Sequence, residues 1–359
     1  NVMINIEDIA YEIDFMPVGT GERSGDAIVL RYGRLNSQTN YSQTVIVIDG
    51  GTIESGQKIV NHIKTVYNTN VVDLVINTHP DNDHCSGLRE VLNNITVKEL
   101  WLHTPWNYAE YFVDLFKDGR ITDNSLKERL KEGLNTAYEL EQIAKKKEIL
   151  IKEPFSGQSF DSGVIQVLGP SENFYKELLP HFRDMPEPIA ESLASKTFAA
   201  VKGAINWVAE SLDIETLDES GETSPENNSS SITLFSYANK KILFTSDSGI
   251  PALKAAIDYA KGKGIDLMSL TGIQVPHHGS KRNISPSVLN QLKSEHAYIS
   301  CGPDGEPKHP AKKVTNAFKR RNMKSFQTKN KILYAYHNRT LRSGWVPSPE
   351  IPFYDKVEE

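Results

Sequence analysis

At 359 residues the chain exceeds the usual single-domain size, yet α/β enzymes carrying insertions reach this length as one unit, and a single decorated domain, 1–359, is expected. Hydrophobic residues at 38% and charged residues at 24%, with aromatics spread throughout, exclude global disorder and supply ample core. A net charge of -6 argues against a polyanionic partner, but Glu210, Asp213, Glu215, Asp218, Glu219, Glu222 and Glu226 fall in one stretch without Lys or Arg, so the acidity is local.

No apolar run approaches the length of a membrane span, and Asn1 to Ala10 carries no charged-then-apolar signal pattern. A cytoplasmic location without membrane contact is therefore expected. Cys85 and Cys301 stand alone and read as ordinary thiols. In chain order, Tyr11 to Val18, Asp26 to Tyr32 and Gln43 to Asp49 read as strands, pairing antiparallel across Gly-, Ser- and Asn-containing turns. Ile59, Ile63, Val66 and Tyr67 recur at helical spacing, and Val71 to Ile76 is a short run of buried-strand type. A helix near His84 to Asn93, a strand near Val97 to Leu102 and a long helix from Ser125 to Lys147 follow.

The next apolar stripe, Ile189, Leu193, Phe198, Val201, Ile205, Val208 and Leu212, predicts a helix. It either packs on the body, covers the rim of the active site or forms a dimer contact. Gly221 to Ser231 reads as a loop, Ile232 to Tyr237 and Lys241 to Thr245 as strands around Asn239-Lys240, and a helix begins near Ala311. Two helical insertions, about 104–148 and 171–226, decorate the domain and offer surfaces for a protein partner or a second copy.

The most informative segment is Thr78-His79-Pro80-Asp81-Asn82-Asp83-His84-Cys85-Ser86-Gly87-Leu88. His79, Asp81, Asp83 and His84 fall directly after a buried strand, where one loop can aim several short side chains at one point. Imidazole with carboxylate is a divalent-metal ligand set. The bland alternative, turn-forming acids beside incidental histidines, fits a lone His better than four ligand types at this density.

This segment resembles the HxHxDH signature of the metallo-β-lactamase superfamily, with Asp81 in place of the middle His. The HxDxDH form is similar to the hydrolase domain of the DNA-uptake protein ComEC and its stand-alone relatives. The resemblance extends to Val18-Gly19-Thr20-Gly21 with Gly25-Asp26-Ala27, and to Ile48-Asp49-Gly50-Gly51. It continues at Asn227-Asn228-Ser229-Ser230-Ser231, Leu243 to Asp247, Val275 to Ser280, Ile299 to Gly302 and Lys308-His309-Pro310. It implies an α/β fold, the αββα sandwich, and two divalent ions, zinc or manganese with magnesium as a further candidate.

The resemblance further implies His79 and Asp81 on one ion, Asp83 and His84 on the other, Asp247 between them, and His277 or His278 completing the second. Ser246 replaces the usual Gly before the bridging aspartate. No histidine stands between the two halves where many members supply one, so the first site is oxygen-rich. Transport is not carried over, because only the hydrolase domain is matched.

Asp49 is a candidate to hold the outer nitrogen of a ligating His. His277 and His278, on consecutive positions of an extended segment, should point to opposite sides, with His277 the favoured ligand. Asp83 and His309 are the candidate catalytic residues, His309 contacting a phosphate or protonating the leaving group, unless it is a surface His in a turn. Asn228, Ser280, Lys281, Lys308, Lys312 and Lys313 are the candidate substrate contacts. Between Lys308 and Lys331 the chain carries Lys308, Lys312, Lys313, Lys319, Arg320, Arg321, Lys324, Lys329 and Lys331 without an acid. This strip either tracks a nucleic-acid backbone or is a solvated helix face. The leading expectation is a nuclease acting on DNA, then RNA; a small-molecule hydrolase (of a cyclic nucleotide or other phosphodiester, lactone, lactam or thioester) and a metal-stabilised interaction module are the alternatives.

Overall fold

The computed structural model describes residues 6–189 and 206–359. Two seven-stranded sheets lie face to face. The first runs in the order Leu333–His337, Ala10–Phe15, Ala27–Arg34, Ser42–Gly50, Leu74–Ile76, Glu99–Trp101, Leu150–Lys152. The second runs Lys324–Gln327, Ser294–Ile299, Leu270–Gln274, Lys240–Phe244, Ile232–Tyr237, Ile165–Gly169, Ser159–Phe160.

Side-chain alternation sorts the strands between two kinds of core. Ile46 and Ile48 point between the sheets, with Phe15, Phe235 and Phe244. Val45 and Val47 point outward, under the helices Ile53–Thr65, Leu88–Asn94 and Asn135–Lys146. Helices Ile250–Gly262, Pro286–Leu289 and Lys312–Arg320 cover the second sheet in the same way. The result is the αββα sandwich.

In the first sheet, Ser42–Gly50, Leu74–Ile76, Glu99–Trp101 and Leu150–Lys152 are parallel neighbours. In the second, Lys240–Phe244 and Leu270–Gln274 are also parallel. The loops leaving Gly50, Ile76, Phe244 and Gln274 therefore gather at carboxyl ends of strands, where open α/β sheets place ligands. Thr78 Oγ1 lies 2.7 Å from Ser246 Oγ, and the His277 N–H donates to the Ser246 carbonyl at 2.9 Å, which ties the loops of the two sheets together.

Three elements differ from expectation. The helix expected over Ser125 to Lys147 is two, Asp123–Gly133 and Asn135–Lys146, because Leu134 after Gly133 leaves helical geometry at φ -117° and ψ 36°. Most of the stripe from Ile189 to Leu212 lies outside the described residues; within them, Trp207–Ala209 is a strand paired antiparallel with Lys356–Glu358. Its helical spacing competes there with a β-prone Trp-Val pair that finds an open partner. The loop Gly221 to Ser231 contains one helical turn, Pro225–Asn228, capped by Ser224. Among the described residues no helix is long and apolar enough to cross a membrane.

Candidate metal centre

Close backbone approach builds the site. A Cβ on Gly87 would lie 2.0 Å from the Gly50 carbonyl oxygen, so the motif loop presses on the end of the third strand only because both residues lack side chains. A Cβ on Gly25 would lie 2.3 Å from the Asp83 carbonyl oxygen. That contact, with the Asp26 N–H donating to the same carbonyl at 3.3 Å, carries Asp26 into the centre.

Asp247 stands in the middle. Its Oδ2 is 3.8 Å from His79 Nε2, 3.4 Å from His84 Nε2 and 3.4 Å from His277 Nε2, and its Oδ1 is 3.5 Å from His278 Nε2. Asp26, His84, Asp247 and His278, all buried, each place a ligand atom within 4.8 Å of the others. Asp49, His79 and His84 form a second such group. Asp49 works from behind: it accepts from Thr78 N at 2.8 Å and Thr78 Oγ1 at 2.6 Å, and receives His84 Nδ1 at 2.9 Å, which turns His84 Nε2 inward.

The backbone is left-handed at Asp49, Ser246, His277 and His278, with φ of 56°, 47°, 46° and 57°. Such strain in non-glycine residues persists only where surrounding contacts hold it, and it clusters at functional sites. At the histidine pair it overturns the premise of an extended segment: both imidazoles approach Asp247. His277 Nδ1 is held at 2.9 Å by Asn283 Oδ1, and His278 joins the buried group with Asp26.

Asp26 Oδ1 and Oδ2, His79 Nε2, His84 Nε2, Asp247 Oδ1 and His278 Nε2 are buried without hydrogen-bond partners. Buried polar atoms rarely stay unpaired, and a converging set of carboxylate oxygens and imidazole nitrogens is satisfied by divalent cations. The donor set therefore fits metal. The electrostatics agree. Burial pushes the Asp26 carboxyl up, against the pull of His278 and His84. Burial also holds His79 down to about 4, helped by His84. At Asp247 burial is outweighed by His277, His84 and His278, which hold the carboxyl well below its usual range.

The remaining sequence candidates spread around this centre. Asp81 Oδ2 faces His79 Nε2 at 3.7 Å, while its Oδ1 is paired with Arg183. Asp83 is half-buried and acts on His79 and His277 through its charge. The His309 ring lies 5.2 Å from that of His277, and burial, then His278 and His277, push its pKa down to about 2. Ser280 is buried, its N–H on the His277 carbonyl at 2.9 Å, and the half-buried Asn228 has a partnerless Oδ1.

Much of the basic strip is spent within the fold. Lys313 is buried and donates to the Thr216 carbonyl at 3.4 Å, and Lys312 lies over the rings of Trp207 and Tyr354 at 5.0 and 4.8 Å. Arg320 pairs with Glu210 at 2.9 Å, Arg321 with Glu215 at 2.8 Å, and Lys281 donates to the Glu359 carbonyl. The acidic stretch and the basic helix, separate in sequence, neutralise each other. Arg282 and Lys308 are exposed, with no carboxylate partner among the described residues.

Sequence reasoning missed two residues. Asp26 lies inside the Gly25-Asp26-Ala27 segment that carries the family resemblance, although its carboxylate had no assigned role. Arg183 reaches Asp81 from 102 residues away in sequence, and no local pattern marks it.

Residues 40–153 match the model of the metallo-beta-lactamase superfamily. Over this segment the chain resembles that superfamily, and its buried His/Asp cluster is able to hold metal. More particularly it is ComEC-like: it is 21% identical over 336 residues to ComE operon protein 3 of Bacillus subtilis (strain 168), which covers 91% of this chain. The chain spans 33% of that relative's length. Among solved structures it is similar to a diphosphatase from the PhnP family, with TM-score 0.39 and 10% identity over 91% of this chain and 98% of the other. It is also similar to a long-form RNase Z from yeast, with TM-score 0.39 and 11% identity over 92% of this chain and 42% of that one.

Proposed function

We propose that the protein is a two-metal phosphodiester hydrolase, first of DNA and then of RNA. The supporting observation is the ring of buried, unpartnered carboxylate oxygens and imidazole nitrogens around Asp247, with two exposed cations near its histidine segments in sequence, Lys308 just before His309 and Arg282 four residues after His278. His79 and Asp81 would hold one ion, Asp83, His84, Asp26 and His278 the other, with Asp247 between them and His277 at its side. The oxygen-rich first site favours manganese or magnesium while still admitting zinc. Bound there, two such cations supply a nucleophilic water at neutral pH and neutralise charge on attacking and leaving oxygens.

The chain's own residues do the positioning. Asp49 fixes the His84 ring, and Asn283 fixes that of His277. Exposed Lys308 and Arg282 would attract an anion, and His309 would contact the phosphate or serve the leaving group beside the His pair. A second reading, a small phosphodiester as substrate, is favoured by one observation: the helix Lys312–Arg320 spends its cations internally, leaving a narrow basic footprint.

The test is hydrolysis of single- and double-stranded DNA, RNA and a cyclic dinucleotide by protein reconstituted with Mn(II) or Zn(II), each across a salt series. A nuclease should lose affinity steeply with salt, by about 0.9 log units per log unit for each phosphate neutralised on duplex DNA. Turnover confined to the cyclic substrate, with little salt dependence, replaces the nuclease reading by the small-molecule one.

A further inference from the structure

Asp81 stands where the superfamily signature has a histidine, and the exchange creates a mechanical problem. A ligating imidazole is oriented through its second nitrogen; a ligating carboxylate swivels unless its second oxygen is held. The structure supplies that hold. Asp81 Oδ1 is paired with the Arg183 guanidinium, leaving Oδ2 turned to His79 Nε2 at 3.7 Å.

Arg183 is itself fixed at its root. Glu226, 4% exposed, accepts the Arg183 backbone N–H at 2.6 Å and its Nε–H at 3.2 Å through Oε1. Glu226 sits in the helical turn Pro225–Asn228, where the Ser224 hydroxyl accepts the Asn227 N–H at 3.1 Å. Phe182, buried at 2%, anchors the chain just before Arg183. The Arg183 side chain is nevertheless 42% exposed, so its removal leaves no buried hole.

We propose that Arg183 is a positioning residue for the first metal: by holding one oxygen of Asp81 it aims the other at the ion shared with His79. The proposal rests on the two-metal reading above. It assigns Arg183 and Glu226 to the support of the metal site.

The experiment titrates metal-free full-length protein with Mn(II) in a calorimeter, and with Co(II) while recording its visible spectrum, so no substrate is needed. Wild type should take up two ions. Arg183→Ala should weaken one of the two ions by about 10- to 100-fold, the range for losing a group that orients a ligand, and leave the other within about twofold. Its Co(II) spectrum should change in the one equivalent whose affinity falls. Arg183→Lys keeps the charge but not the planar fork and should recover part of the loss. Glu226→Ala frees the root without touching Asp81 and should shift the same ion in the same direction, and thermal unfolding of each variant confirms folding. Unchanged affinity in Arg183→Ala overturns the proposal while two-metal binding stands. Tighter affinity overturns it too, because the guanidinium would then compete with the ion. A wild type that takes up fewer than two ions removes the two-metal reading and the proposal with it.

Discussion

Glu210 joins the acidic stretch to the helix Lys312–Arg320, and its loss should be costly. Its carboxylate accepts from Thr216 N at 2.8 Å, Thr216 Oγ1 at 2.7 Å, Asn316 Nδ2 at 2.7 Å and Arg320 Nη2 at 2.9 Å, with the side chain fully buried. Arg320 is 8% exposed. In Glu210→Ala this cation stays buried without its carboxylate, and removing one partner of a buried pair typically costs about 3–5 kcal/mol. Arg320 keeps the Ser211 and Ile214 carbonyls, at 3.1 and 2.6 Å, so the low end, about 3 kcal/mol, is expected.

Urea unfolding at pH 7 measures this loss, and it carries a pH signature. Burial opposes the Glu210 charge, but Asn316, Thr216 and Arg320 prevail and hold its pKa below the ordinary value. A carboxyl depressed in the folded state contributes fully above its unfolded pKa, about 4.3, and loses that contribution as pH falls through its folded value. The gap between wild type and variant should therefore narrow in acid. A loss under about 1 kcal/mol, or a gap that widens as pH falls, refutes the reasoning.

Asp247→Ala should weaken binding of the tighter ion by more than about a hundredfold, beyond the effect of losing a mere orienting group; metal content after dialysis checks this, with circular dichroism as the control for folding. At Ser246, φ of 47° disfavours any Cβ, and the hydroxyl compensates through Thr78 at 2.7 Å and His79 Nδ1 at 3.4 Å. Ser246→Gly should accordingly be more stable than Ser246→Ala by about 1–2 kcal/mol in urea unfolding, and the opposite order would show that the backbone is unstrained.

The parts of the molecule legible in the sequence are those whose signal is local. Val45 to Ile48 alternates between two buried faces and reads as an interior strand, and His79 to His84 concentrates ligands on one loop. What stayed hidden depends on tertiary contact. Nothing near Arg183 announces Asp81, and nothing near Lys313 announces Thr216. The histidine pair was misread for a different reason: the argument from alternation holds for extended backbone, and two consecutive left-handed residues cancel it. The stripe ending at Leu212 shows the same limit, since spacing by three and four records which side chains are apolar, and an available edge at Lys356–Glu358 decided the backbone of Trp207–Ala209.

Internal neutralisation of the basic helix changes where a polyanion must be met. If substrate charge were read by Lys312, Lys313, Arg320 and Arg321, replacing all four by Ala should flatten the salt dependence of binding. In this fold those residues face Trp207, Thr216, Glu210 and Glu215 instead, so the fourfold variant should lose stability first. Lys308 and Arg282 are different: both are exposed, and Lys308 precedes His309, whose ring lies 5.2 Å from that of His277. Replacing this pair by Ala should leave urea unfolding within about 0.5 kcal/mol of wild type, as for surface substitutions generally. It should also reduce the slope of log affinity against log salt for DNA by about two, one for each phosphate that no longer meets a cation. Fluorescence anisotropy with a labelled oligonucleotide, run from low to moderate salt, measures that slope. An unchanged slope in a stable Lys308→Ala/Arg282→Ala protein would place the polyanion elsewhere or remove it, and would turn attention to a small diester seated at the metals alone.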